Sequence, residues 1–254
     1  MKLSAFIVSL SFSFCVSAQT FSEKTTTASN VRLNVSNSGT FGNAFRGYRD
    51  GSGNPSGEYP AGSGVEHLFE SGIWFGGLIN GSTVAVSTAA VDAPQGYSTG
   101  SAGFEFYPEP GATLKEISSL RNSPYYNTSA VSHQDFVATF SDKNVKVPGT
   151  NTQIGSHLDP LFVQITAKSY NWNYSFSDFF VIVDYELENI GSNTIDSAFF
   201  GLWANTVVRN INVTPAGSGG ASFYNKGGNG YFDSLQMAYC YDNAGDVGFT
   251  DSYV

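Results

Sequence analysis

The chain has 254 residues, a formal net charge of −9 from 12 basic and 21 acidic side chains, and only two cysteines. That length buries a sizeable core without cross-links, as one large or two small domains, and the acidic balance gives no electrostatic reason to hold nucleic acid or an anionic membrane. Aromatic residues at 15% together with 28 glycines match strands joined by many turns, so an all-β protein is expected.

Residues 1–18 carry Lys2, then a run from Leu3 to Val16 that is apolar apart from serines, and close on Val16-Ser17-Ala18. This small-residue pattern suits cleavage after Ala18, so a secretory signal peptide and an extracellular or outer-surface location are expected. The run is shorter than the roughly 18 residues of a spanning helix, and no membrane span is expected in the mature chain. Cys15 leaves with the signal, and Cys240 then has no partner for a disulfide.

Residues 19–30 read as a flexible polar lead-in and residues 31–254 as the folded region. Val31, Leu33 and Val35 alternate with polar residues in a first strand, and residues 46–64 are nearly all turn formers, a surface loop. From Val65 a strand runs to the Asn80-Gly81 hairpin signal, with a returning strand over residues 83–90. Residues 104–107 form a short strand. Residues 113–121 predict one short helix, with Leu114, Ile117 and Leu120 as its apolar stripe and Thr113 and Glu116 spaced as a capping box. Residues 136–140 make another strand, and the polar stretch 142–156 is a loop within one sandwich or a boundary between two halves.

The centre of the sheet is expected in residues 161–208, with strands at 161–168, 179–188 and 195–204. In the second, Val181, Val183, Tyr185 and Leu187 face one way and Asp184, Glu186 and Glu188 the other. The third is apolar on both faces, which predicts a strand covered from both sides and not an edge. Turns follow at 215–220 and 225–230, a short strand at 222–224 and a last strand at 235–241. Residues 251–254 read as the start of a further strand, so a longer chain is expected. The fold class expected is an antiparallel β-sandwich, immunoglobulin- or jelly-roll-like, with one short helix.

Motifs for nucleophile elbows, zinc proteases, redox dithiols and nucleotide binding are missing, and no catalytic residue is singled out. His67 reads as a half-buried strand residue and His157 as a turn residue, while His133 lies two residues before Asp135 with no nucleophile to serve. Residues 242–251 crowd Asp242, Asn243, Asp246 and Asp251 on a glycine-bent loop. Such oxygens suit a structural Ca²⁺; the other reading is an Asx-rich turn that bonds its own backbone. Asp178, Asp184, Glu186 and Glu188 form a second acidic cluster, in which the last three share one strand face and either bind a cation, serve as paired carboxylates on a sugar, or make only a solvated sheet face. Tyr170, Trp172 and Tyr174 alternate with serine and asparagine, as in a pocket that stacks on sugar rings. Their other reading is an aromatic plug at the sandwich end.

Residues 62–77, GSGVEHLFESGIWFGG, together with segments 170–202 and 241–254, resemble large secreted β-rich proteins of bacteroidete-type bacteria, many of them cargo of the type IX secretion system. The stretch DYELENIGSNTIDSAFFGLW is similar to a strand-turn of immunoglobulin-like modules. The resemblance implies export and surface residence but brings no activity with it. It also implies O-glycosylation acceptors at Asp196-Ser197-Ala198 and Asp233-Ser234-Leu235, while Asn205 stands where similar chains often place an aspartate.

The reading these observations favour is a secreted or cell-surface, non-catalytic β-sandwich with a presentation, adhesion or binding role, its partners glycans or other surface proteins besides the export machinery. The alternative is a secreted carbohydrate-active hydrolase, using carboxylates such as Asp184 and Glu186, or a carbohydrate-binding module.

Overall fold

The computed structural model describes residues 20–42, 54–90, 103–148, 150–155, 157–206, 208 and 227–242. The signal segment, the strand expected at 222–224 and the segment 243–254 lie outside the described residues.

Strict alternation builds the centre. In β10 (Val163–Asn171) every odd residue is buried and every even one is half-exposed, so one face of the strand makes core and the other meets solvent. β9 (Gln134–Ser141) pairs with it in unbroken antiparallel register, Phe140 opposite Ile165 and Ala138 opposite Ala167, and β11 (Ile182–Asn189) pairs on its other side. Short strands β7 (Tyr107–Pro108) and β8 (Lys115–Ile117) complete this sheet against β9.

The other sheet runs in the order β1 (Glu23–Thr25), β2 (Arg32–Ser36), β3 (Thr40–Phe41), β5 (Leu68–Ile79), β12 (Ile195–Thr206). β4 (Gly57–Glu58) is added on β2 and β6 (Thr83–Thr88) on β5. Phe136, Phe140, Val163 and Ile165 from one sheet share a single core with Val35, Phe41, Ile73 and Phe75 from the other. The chain is therefore an all-β antiparallel sandwich. Burying each such side chain stabilises the fold by roughly 1.5–3 kcal/mol. A separate hairpin, β13 (Gly227–Phe232) and β14 (Met237–Asp242), turns through a 3₁₀ segment at Asp233–Leu235.

Several expectations are corrected. Residues 113–121 form no helix; β8 lies there instead, because a single stripe over nine positions is too short to hold a helix alone, whereas pairing with β9 satisfies the backbone. Leu114 and Ile117 are buried and Leu120 is exposed. Glu116 accepts from Gln134 Nε2 at 2.8 Å and pairs with Lys24 at 2.9 Å, so it caps nothing and ties β8 to β1. The lead-in is not loose: β1 pairs with β2, and Thr26 and Ser29 are buried. Within the glycine-rich stretch, Ser56 and Glu58 are buried because β4 pairs with β2. Of the turn expected at 225–230, residues 227–230 belong to β13. β12, expected to be covered on both sides, is the last strand of its sheet and largely exposed; apolar composition cannot report whether a neighbour is present. Residues 142–156 connect β9 and β10, which pair with one another, and carry their own small cluster of Val147 and Ile154 with Phe104.

Candidate functional site

The outward residues of β10 set up the first candidate surface. Tyr170 faces out opposite Ile182, and Trp172 follows where the strand ends. Their ring centroids lie 6.2 Å apart with planes inclined by 39°. One pleat back, Lys168 stands opposite Asp184, and its Nζ reaches Glu186 at 3.5 Å. The Tyr170 hydroxyl is held above its ordinary range, first by desolvation and then by the charge of Asp184. The result is a pair of adjacent rings rimmed by exposed charges on a sheet face.

The aromatic stretch does not act as one unit. Tyr174 sets its ring against His133 at 4.6 Å and stacks on Phe176 at 5.4 Å with planes 8° apart. Because Tyr174 is 50% and Phe176 73% exposed, they do not plug the sandwich end. The two rings that lie side by side are Tyr170 and Trp172.

The histidines are held by structural contacts. His133 is buried, and its Nδ1 accepts the Asn173 N–H at 3.2 Å. Asp135 does not orient it: that carboxylate accepts from the Val131 and Ser132 N–H groups at 2.7 and 2.8 Å and from the Ser132 hydroxyl. His157 closes a turn as expected, its N–H donating to the Ile154 carbonyl at 3.1 Å, and it is buried with its Nε2 donating to the Asp142 carbonyl at 2.6 Å. The Asp142 carboxylate in turn accepts from Ser87 Oγ, Leu161 N and Val163 N. These contacts lock the start of β10. His67 lies with Nε2 3.0 Å from the Tyr59 carbonyl.

Asp184, Glu186 and Glu188 are all exposed along β11. Asp178 is half-buried. Asp242 ends β14, while Asn243, Asp246 and Asp251 lie outside the described residues. Among the described residues no group of three or more His, Cys, Asp or Glu side chains is placed to hold a metal. None of their helices is long and apolar enough to cross a membrane. Ser197 and Ser234 are both exposed, Ser197 with a left-handed φ of 49° inside a bulge of β12.

Two concavities were not expected. An apolar groove of about 500 Å³ lies against the β5–β6–β12 sheet. Trp74, Leu78, Val86 and Phe199 are among the residues that wall it, and Gly76 and Gly201 leave it room. A second cavity of about 460 Å³ lies beside β6 and is lined by Thr88, Glu105, Leu158 and Asp159, among others. Burial pushes the Glu105 carboxyl up to about 7, against backbone N–H groups including that of Gly103, which donates to Oε2 at 2.6 Å. In sequence Glu105 is only an acid set among the aromatics of Phe104-Glu105-Phe106-Tyr107, which by itself marks no site. In comparisons with known proteins, no family profile, no curated protein and no solved structure matches this chain.

Proposed function

We propose that the protein is an exported β-sandwich that acts at the cell surface or outside it by binding and not by catalysis, with glycans held on the outward face of β10. The observation that carries this reading is the adjacent Tyr170–Trp172 ring pair beside Lys168, Asp184 and Glu186. Aromatic faces pack on the C–H face of a sugar, and flanking charged and amide groups bond its hydroxyls, the mixture expected of a polar-ligand site. Export is supported by the signal-like residues 1–18 and by the resemblance to type IX cargo. The hydrolase alternative loses Asp184 and Glu186 as its carboxylates, because they stand on an open, wet face, whereas glycoside hydrolysis needs one carboxyl desolvated enough to stay protonated; the desolvated carboxyl, Glu105, lies in a different cavity from the aromatic pair.

A glycan-array screen of the full chain, followed by titration of the best ligand by calorimetry, tests it. Saturable binding is expected, and Trp172→Ala is expected to weaken it at least about tenfold, the effect of losing one aromatic contact of ~1.4 kcal/mol. Binding that is unchanged in Trp172→Ala would remove this face from the account.

A further inference from the structure

Both sheets end on the same side of the sandwich. β12 closes one and β11 closes the other, and they stand together there, with the Tyr185 and Phe200 rings 5.0 Å apart. Among the described residues, β12 hydrogen-bonds to β5 alone, so its other backbone edge is free. Phe199 is 75%, Leu202 57% and Phe200 42% exposed. A long, apolar free edge is a template for another strand.

The charges of the two edge strands differ sharply. β11 carries Asp184, Glu186 and Glu188, a row that deters pairing with a like strand. β12 has Asp196 near its start and no charge from Ser197 to Thr206. In a chain of net charge −9, two copies repel almost wherever they meet. An uncharged strip is where that repulsion is least.

We propose that β12 is the interface of a two-fold dimer, in which the strand pairs antiparallel with β12 of a second copy. In a two-fold contact residue i meets residue j and j meets i, and only residues at the axis meet their own counterpart, so the strip must be self-complementary, and one without charge meets that condition. Alternation places Phe200 and Leu202 of each copy on the inner face, against the open core beside Leu187, while the two sheets run on as one. The covered backbone and side chains amount to roughly 500 Å² per copy, about 1,000 Å² in all, the lower bound of a specific interface. A dissociation constant on the order of micromolar is therefore expected.

Sedimentation velocity on the full chain, from about 1 to 100 µM, should show a reversible monomer–dimer equilibrium. Leu202→Lys is expected to weaken it more than about tenfold, since each copy would bring a charge into an otherwise uncharged strip, and Lys115→Glu on β8, which pairs with β9 away from β11 and β12, to leave it unchanged. Single cysteines at Ala198, Gly201 and Ala204, in a Cys15→Ser, Cys240→Ser background, test the same strand without relying on a charged variant. A Cβ at Gly201 meets nothing within 4 Å. Rapid oxidation to a covalent dimer at the position nearest the two-fold axis supports the proposal. A monomer at every concentration, even one that captures a different strand-forming peptide, would overturn it. So would a dimer that ignores Leu202→Lys and cross-links at none of these positions.

Discussion

Glu105 is where a single residue most changes how the protein should respond to pH. Its carboxyl titrates near 4.5 in the unfolded chain and is pushed up to about 7 in the fold by burial. The native state then binds this proton more tightly than the unfolded state does. Its contribution is therefore fully present below pH 4.5 and lost as pH rises through about 7. At 1.36 kcal/mol per pKa unit the loss approaches about 3 kcal/mol. Urea midpoints measured from pH 5 to pH 8 should fall across that interval, and Glu105→Gln should flatten the fall while raising stability at the upper end. An equal slope in both proteins would show that Glu105 is not the group responsible. At this scale the sequence was partly legible: Tyr170 and Trp172 stood out as interleaved aromatics. Glu105 was passed over, because one acid beside aromatics carries no motif and only burial makes it unusual.

At the scale of the element, the β2–β3 turn rests on Gly39. Its φ of +83° is a left-handed conformation that L side chains rarely adopt. A Cβ there would lie 3.0 Å from the Ile73 side chain and 3.1 Å from the Phe140 ring. Gly39→Ala is expected to cost about 2–4 kcal/mol, combining backbone strain with overpacking, read as a lowered denaturation midpoint at unchanged m-value. A change under about 0.5 kcal/mol would mean that the turn relaxes away from the core. The strand at β10 was legible because period-two burial is written into its own residues. The helix expected over residues 113–121 was not a sound inference, since three apolar positions over nine residues are too few to hold a helix alone, only Ile117 of the three lies in β8, and the hydrogen bonds that decide the matter come from β9. Likewise β1 has no apolar pattern of its own and exists because β2 offers an edge.

At the scale of the molecule, the described residues divide into a sandwich with a shared core and a hairpin that, among them, pairs with neither sheet. β9 and β10 are inner strands of one sheet and bury Phe136, Phe140, Val163 and Ile165, whereas among the described residues β13 and β14 pair only with each other and expose Tyr231, Phe232, Met237 and Tyr239. Native-state hydrogen exchange should follow this division, with amides of β13 and β14 exchanging through local opening and those of β10 only near global unfolding. Equal protection in the two regions would show that the hairpin is held by the sandwich. By itself the sequence determined the all-β character, most strand positions near the core and the wet face of β11, because alternation and turn chemistry are local properties of the chain. Only the tertiary structure decided that β12 is an edge, that Tyr170 and Trp172 stand together while Tyr174 turns to His133, and that Glu105 is desolvated. Each depends on which distant segment comes to lie alongside, and an apolar strand reads the same in sequence whether a neighbour covers it or not.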